Sequence, residues 1–167
     1  MAQEIEIKVW KDEVREEVGK STEYTGAKGI YEDKDAHDKY YAQEADLETL
    51  DRFWEEAILT FNERVKNMLL ESETIQIQTG GSLELGKVEM REAFKAILEV
   101  SLSFDIGLVG SIEKTMKSYF ISYIIGAWFK LAKKDESEEY FGVAEEALTN
   151  VERMLYSRMR PRAPRRS

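Results

Sequence analysis

The chain has 167 residues and a formal net charge of −9, a size that suits one domain. It contains no cysteine and a single histidine, which excludes a disulfide framework, a thiolate nucleophile and a His/Cys zinc cluster. The start, MAQEIEIKVW, lacks the features of a secretory signal, and the longest apolar stretch, Tyr119 to Phe129, is shorter than the ~20 residues that span a bilayer. We therefore expect a soluble protein, made in a reducing compartment and without a membrane partner.

The charge is distributed unevenly along the chain. Residues 153–167 contain six arginines and no acidic residue, and removing those six positive charges leaves −15 on residues 1–152. An acidic body repels nucleic acid, whereas a basic tail favours an acidic partner surface or a phosphate backbone. The arginines, which are the candidate partner-binding residues, are Arg153, Arg158, Arg160, Arg162, Arg165 and Arg166.

The first thirty residues combine two spacings. Apolar residues from Ile5 to Val9 alternate as in a strand, whereas those from Trp10 to Val18 recur at helical spacing. We interpret this as a short extended start followed by a helix from about Lys11 to Thr25, which Gly26 or Gly29 ends.

Residues 47–70 carry the clearest helical pattern in the chain. Eight apolar residues fall on one face, and Asp46 stands where a residue that caps the helix amino terminus belongs. We predict a core helix over the whole range. Its apolar face comprises Leu47, Leu50, Trp54, Ile58, Phe61, Val65, Met68 and Leu69.

The segment TIQIQTGGSLELG predicts a β-hairpin near residues 74–86. A two-residue turn would pair Ile77 with Glu84, whereas a three-residue loop, Gly80-Gly81-Ser82, pairs Ile77 with Leu85. Only the second register places the apolar side chains on one face, so we expect the three-residue loop.

Residues 88–104 are ambiguous. Met90, Phe94 and Ile97 suit a helix, whereas the apolar residues of LEVSLSF alternate with polar ones. This alternation favours a strand in the second half that pairs with the hairpin.

Two further helices are predicted near the carboxyl terminus. The first spans about residues 107–133 and is apolar on most sides, as expected at the centre of a core. Asp135 and Glu138 have the spacing of a capping box, so a last helix should follow them and end before Pro161. The expected fold is mainly α, a helical bundle with a small antiparallel β element. Residues 1–157 would form the single domain and residues 158–167 a basic, Arg- and Pro-containing tail.

No pattern of catalytic residues stands out. His37 lies in the polar segment 31–45, beside Asp35 and Asp38, and we interpret it as a surface residue. The carboxylates fall mostly at the polar positions of amphipathic helices, which favours a solvated surface over a paired acid and base. We therefore predict a protein that is not an enzyme and needs no cofactor or metal. A carboxylate-based enzyme remains an alternative, which a pocket holding two or more acids with raised pKa values would favour.

Three aromatic residues outside the confident core helices are candidates for a subunit interface. Trp10, Tyr40 and Tyr41 are of residue types that are enriched at interface hot spots. They are equally suited to cover the edge of the protein's own core.

The order of elements and the closing segment resemble a known family. A helix ending in STEYTGAKG precedes the helix with LDRFWEEAILTFNERVKNML, a hairpin and LEVSLSFD. The run SYFISYIIGAWFKLAKKDESEEYFGVAEEAL and the basic close VERMLYSRMRPRAP then follow. Together they resemble the head-tail connector proteins, or adaptors, of tailed bacteriophages, in particular those from phages of gut Bacteroidales.

The resemblance implies a virion protein of the phage neck, made in the cytoplasm of the bacterial host. Such adaptors form a ring, usually of about twelve identical subunits, that docks beneath the portal protein and carries the next neck or tail protein. The carboxyl-terminal segment commonly grips the portal, which assigns that role to Arg153 and the arginines that follow. DNA passes through the channel without specific binding, and an acidic body suits such passage.

Two alternatives stay open beside the adaptor. The hairpin and the alternating segment depart from the purely helical adaptors, which leaves room for another neck protein, a stopper or a tail-completion protein. The basic tail would also suit a DNA-binding module, whose affinity would fall steeply with salt.

Overall fold

The fold is a mixed α/β arrangement in which helices cover one face of a three-stranded sheet. A computed structural model describes residues 2–29, 42, 46–80 and 89–159. A 3₁₀ turn, Ile106–Leu108, precedes the third helix. The strands are β1 Ala2–Trp10, β2 Leu69–Gly80 and β3 Glu89–Ser101, and the helices are α1 Lys11–Gly29, α2 Leu47–Arg64, α3 Val109–Ala132 and α4 Lys134–Leu155.

The sheet is antiparallel, with β3 between β1 and β2. Ile7 lies opposite Ala96, and Val9 lies opposite Phe94, so apolar side chains of β1 and β3 share one face. On that face Ile7, Phe94 and Leu98 are fully buried. We call it the inner face, because the aromatic side chains of the helices pack against it.

The core joins the inner face to α2 and α3. The rings of Trp54 and Phe120 stack with centroids 4.4 Å apart, and Phe94 lies 5.3 Å from Phe120 and 5.6 Å from Phe61. The indole N–H of Trp54 donates to Thr74 Oγ1 of β2 at 3.2 Å. Aromatic contacts of this geometry add to the free energy of burial, so this cluster fixes both helices on the sheet.

Helices α3 and α4 approach closely at Gly126. A Cβ atom at that position would lie 3.2 Å from the ring of Phe141, which is tighter than ordinary van der Waals contact. The absence of a side chain therefore lets α4 pack near the backbone of α3.

The prediction of a mainly α fold is wrong, because the described residues form a three-stranded antiparallel sheet together with four helices. The strands are longer than the sequence pattern indicated, at 9, 12 and 13 residues. The extended start, residues 69–73 and the first half of the segment 88–104 all join the sheet. Pairing with β3 satisfies their backbone groups and buries their apolar side chains, which outweighs the local helical spacing.

The predicted hairpin register is also wrong. Ile77 lies opposite Arg91 rather than Leu85, and Gly80 belongs to β2 and pairs with Glu89. The observed register places Thr74 opposite Phe94 on the inner face. Leu83 and Leu85 lie outside the described residues.

Helix α2 ends earlier than predicted. Val65 is buried just after the last turn, and its N–H donates to Phe61 O at 3.1 Å. Met68 and Leu69, assigned from their spacing to the helix, lie in the following turn and in β2. Both side chains pack against the core. The pattern of buried apolar residues therefore extends beyond the end of the helix.

The predicted caps are not formed as expected. Asp46 makes no side-chain capping hydrogen bond. Helix α4 begins at Lys134, and only Lys133 separates it from α3, so Asp135 lies in the first turn of α4 and does not cap it. An acidic residue in the first turn still interacts favourably with the helix dipole.

Other predictions are confirmed. The extended start and the helix from Lys11 are present, although α1 continues through Gly26 to Gly29. The strand in the second half of residues 88–104, the long third helix and the last helix are present as well. Helix α4 ends at Leu155, before Pro161 is reached.

Candidate docking site at the carboxyl-terminal end

The carboxyl-terminal segment is held against the turn that follows β3. Arg158 forms an isolated antiparallel bridge with Phe104, and the N–H of Met159 donates to Ser103 O at 2.7 Å. Phe104 is almost fully buried, at 1% exposure. The bridge and the hydrogen bond therefore fix the position of the last described residues, Arg158 and Met159.

Several residues close in sequence to this bridge have exposed apolar side chains. Leu102 and Ile106 lie within two residues of Phe104, and Tyr156 and Met159 lie within two residues of Arg158. All four are more than half exposed, at 51, 61, 63 and 58% respectively. Single exposed apolar residues are common, whereas larger apolar patches are typical of surfaces that bind other molecules. We call Leu102, Ile106, Tyr156 and Met159 the C-terminal patch.

The structure describes two of the six candidate arginines. Arg153 and Arg158 are exposed, and neither forms an ion pair with any residue within the described ranges. Arg158 lies at the bridge itself, so a basic side chain borders the C-terminal patch. Arg160, Arg162, Arg165 and Arg166 lie outside the described residues.

Sequence reasoning missed the patch. It placed Leu102 with Val100 and Phe104 on one buried face, but β3 ends at Ser101 and Leu102 faces solvent. The only sequence signal was the apolar Ile106 next to Asp105 and Gly107, a pair typical of a turn.

Trp10 is a partly buried residue of the sheet rather than a fully exposed anchor. It lies at the end of β1 opposite Ala93, which has no exposed surface. The guanidinium of Arg91 lies 4.1 Å from the centre of the indole ring, and Asp12 binds that guanidinium at 2.7 and 2.8 Å. This hydrogen bond from Arg91 lowers the pKa of Asp12. Tyr40 and Tyr41 lie outside the described residues.

An open groove of about 430 Å³ runs between the end of β1 and the start of α3. The N–H of Lys8 donates to Glu113 Oε2 at 2.8 Å, so a helix side chain caps part of this sheet edge. Lys117 binds Glu13 at 3.3 Å on the opposite wall. The groove is lined by Lys8, Val9, Trp10, Glu13, Gly110, Glu113, Lys114 and Lys117.

A buried cation joins α1 to α2 and β3. Lys11 Nζ lies 3.1 Å from Asp51 and 2.9 Å from Glu92, with 9% of its side chain exposed. Arg15 also binds Asp51. Partial burial acts to raise the pKa of Asp51, but the hydrogen bonds from Arg15 and Lys11 outweigh it, so the pKa lies below its ordinary value. These ion pairs connect α1 to α2 and to β3, which is a structural role.

The shifted pKa values do not favour acid and base chemistry. Asp12 and Asp51 are the carboxyls with a resolved shift in the described ranges, and cations lower both, whereas a catalytic acid needs a raised pKa. Burial raises the pKa of Tyr119, whose hydroxyl donates to Ala57 O at 2.7 Å in the core. Among the residues that the structure describes, no group of three or more His, Cys, Asp or Glu side chains is placed to hold a metal ion, and none of the helices has the length and apolar character needed to cross a membrane.

Comparison of this chain with protein-family models, with curated proteins and with solved structures gave no match.

Proposed function

We propose that this chain is a structural protein of a phage virion, a head-tail adaptor that forms a ring of identical subunits beneath the portal. The ring would connect the capsid to the next neck or tail protein and let DNA pass through its channel. Arg153, Arg158 and the arginines of the tail would bind an acidic surface of the portal through charge-assisted hydrogen bonds.

The C-terminal patch is the observation that supports this function most. Four exposed apolar side chains lie within two residues of the bridge between Phe104 and Arg158, and Arg158 is itself exposed. An interface needs an apolar centre and polar surroundings, and this end of the molecule offers both. The acidic character of residues 1–152 further suits a channel wall that DNA passes without sticking.

Photo-crosslinking within assembled particles tests the proposal. Tyr156→p-benzoylphenylalanine places a reactive group in the C-terminal patch, and we expect cross-links to the portal protein in virions that contain the chain. Leu59→p-benzoylphenylalanine is the matched control, because Leu59 is equally exposed, at 67%, but lies on α2. Absence of the chain from virions, or equal cross-linking from both positions, would contradict the assignment.

The same particles distinguish an adaptor from another neck protein. An adaptor cross-links to the portal and to copies of itself, whereas a stopper or tail-completion protein cross-links to neck or tail proteins without contacting the portal. The identity of the cross-linked partner therefore decides between them.

A second candidate function, DNA binding, is favoured by the two exposed arginines without an ion pair in the described part of the chain. Its signature is an affinity that falls steeply with salt concentration. Replacing Arg160, Arg162, Arg165 and Arg166 by Gln should then reduce the slope of the salt dependence by roughly 0.9 for each phosphate contact that is lost. An adaptor binds DNA weakly before and after that change.

A further inference from the structure

The two edges of the sheet differ in how they are protected. At the β1 edge the N–H of Lys8 donates to Glu113 Oε2 at 2.8 Å, so a side chain of α3 covers part of that edge. At the other edge, the backbone groups from Glu71 to Gln78 form no hydrogen bond to a described residue outside the pairing of β2 with β3. We call residues 71–78 the open edge.

The hydrogen bond of Lys8 also establishes which backbone groups of β2 face outward. Because this N–H points away from β3, Lys8 and Lys95 form a pair without mutual hydrogen bonds, and the N–H and C=O of Lys95 point toward β2. Lys95 lies opposite Glu73, so the backbone of Glu73 bonds to β3. Alternation along the strand leaves the other set facing outward, which comprises Ser72, Thr74, Gln76 and Gln78.

The open edge lacks the usual protection of an edge strand. Natural edges carry proline, lysine or a bulge that prevents pairing with another chain. Residues 71–78 contain neither proline nor lysine. The two irregularities of β2 lie at its ends, between Leu69 and Glu71 and between Gln78 and Gly80. The open edge is therefore a regular strand that is ready to pair.

The side chains of the open edge suit pairing as well. Opposite the inner face lies the outer face of the sheet, which on β2 carries Glu71, Glu73, Ile75 and Ile77. Lys95 binds both carboxylates, at 3.5 and 3.3 Å, whereas the two isoleucines remain partly exposed. An added strand would bury the isoleucines and leave these ion pairs in place.

We propose that the open edge pairs with the open edge of a second copy of this chain, in antiparallel orientation about a two-fold axis. The two three-stranded sheets then form one continuous sheet. An axis perpendicular to the sheet reverses the strand direction and keeps the inner faces of both copies on the same side. The outward-facing residues of the two copies exchange backbone hydrogen bonds.

Charge decides the register of this pairing. Carboxylates directly opposite one another are unfavourable, which excludes the registers centred on residues 71–73. A register centred on Thr74 leaves Glu73 diagonal to the Glu73 carboxylate of the second copy. A register centred on Ile75 avoids both contacts, because Ile75 then lies opposite its own counterpart and Glu73 lies opposite Ile77.

This register uses the whole outward-facing set. Ser72 lies opposite Gln78 and Thr74 lies opposite Gln76, and each such pair exchanges two backbone hydrogen bonds. On the outer face the isoleucines gather at the axis, where burial stabilises the pair. The formal charge of −9 on each chain opposes association, so screening by salt strengthens the pair.

The inference goes beyond the proposed function and does not depend on it. A ring is closed by a heterologous contact, whereas a two-fold pair uses the same surface on both copies. The pair therefore belongs to the chain before assembly and separates when a ring forms. Its tests use the free protein, so they are independent of the cross-links in virions.

Single cysteines test the pairing in the full-length chain, which has no cysteine of its own. Ile75→Cys places two thiols opposite each other at the axis. The Cα atoms of such a pair lie about 4.5 Å apart, which allows a disulfide. With oxidised glutathione as the oxidant, we expect the disulfide-linked dimer of Ile75→Cys to form at least about tenfold faster than that of Ile77→Cys.

Ile77→Cys is the matched control, because it changes the same residue type on the same face of the same strand, also at a partly exposed position. Its counterpart in the second copy lies four residues away, roughly 13 Å along the strand, which is too far for a disulfide. An equimolar mixture of Glu73→Cys and Ile77→Cys should instead give the mixed dimer. Equal rates for Ile75→Cys and Ile77→Cys, or no dimer of Ile75→Cys, would overturn the inference.

Sedimentation equilibrium tests the pairing without cysteine. We expect the unmodified chain to form a dimer whose fraction rises with salt. Gln76→Pro removes an outward-facing N–H without breaking a bond to β3, and it should weaken the dimer at least about tenfold. Gln76→Ala keeps that N–H and should not weaken it.

Three results of the sedimentation measurements would contradict the pairing. These are a chain that stays monomeric at every salt concentration, a dimer that salt dissociates, and a dimer that Gln76→Pro leaves unchanged. Circular dichroism establishes that each variant is folded. If Gln76→Pro does not fold, the comparison of Ile75→Cys with Ile77→Cys still decides.

Discussion

The two faces of the sheet are built from the same strands but differ in what stabilises them. On the inner face Ile7, Phe94 and Leu98 are fully buried against the helices. On the outer face Ile97 and Lys95 remain partly exposed between exposed carboxylates. The hydrophobic contribution to folding is therefore concentrated on one face, and the other face carries mainly charged and partly exposed side chains.

The largest loss of stability is expected when the central aromatic side chain of the inner face is removed. Phe94→Ala removes a ring that contacts Phe61 and Phe120, and we expect it to lower the free energy of unfolding by about 3–5 kcal/mol. Ile97→Ala on the outer face of the same strand is the control and should cost about 1 kcal/mol. Urea unfolding measures both, and similar losses would contradict the difference between the faces.

A smaller effect is expected from the buried cation. Lys11→Met leaves Glu92 without its cation and leaves Asp51 with Arg15 alone. We therefore expect the free energy of unfolding to fall by about 2 kcal/mol. Lys20→Met is the control, because Lys20 is 62% exposed in its pair with Glu16, and such surface pairs contribute little to stability. If Lys11→Met does not change the free energy of unfolding in urea, the cluster does not link α1 to the core.

Trp10 tests whether the outer face contributes to stability at all. Trp10→Ala uncovers Ala93 and removes the contact with Arg91, and we expect a loss of about 1 kcal/mol, because the ring is only partly buried. Thermal unfolding at low and high salt measures it. A loss as large as that of Phe94→Ala would mean that the outer face is part of the core.

The smallest expected effect is a pH dependence of the free energy of unfolding, which arises from Asp12 of α1 and Asp51 of α2. The pKa values of Asp12 and Asp51 are lower in the folded protein than their ordinary value of 3.8. Their contribution to stability is therefore fully present above that value, and it is lost as the pH falls through the folded pKa. Since the side chain of Asp51 is 44% exposed, solvent screens it and its share is below about 1 kcal/mol.

The free energy of unfolding, measured between neutral pH and pH values below 3.8, shows this dependence. Asp51→Asn should be less stable than the native chain at neutral pH and lose less on acidification. An unchanged slope would show that the ion pairs of Asp51 do not contribute.

Local periodicity predicted much of the secondary structure but not its limits. The amphipathic faces of α2 and α4 were evident, because each buries one stripe of apolar residues. Met68 and Leu69 continued the stripe of α2 and were assigned to it, but they reach the core from a turn and a strand. The spacing of apolar residues indicates which side chains are buried, but it does not show whether a helix, a turn or a strand carries them into the core.

The candidate site was predicted in part. Six arginines without an acid were visible in the sequence, and the structure describes two of them, Arg153 and Arg158, which are exposed. The C-terminal patch was not visible, because the exposure of Leu102 depends on where β3 ends. Strand β3 ends at Ser101 because the chain turns there, and the N–H of Phe104 donates to Ser101 O at 2.9 Å.

The sequence by itself determined the helical stripes, the extended start, and the separation of an acidic body from a basic tail, because each of these depends on the order and type of neighbouring residues. Only the tertiary structure decided the register of β2 on β3, which face of the sheet is covered, and the anchoring of Met159 to Ser103. These depend on contacts between distant segments, whose register is chosen by the apolar surface that the whole fold buries.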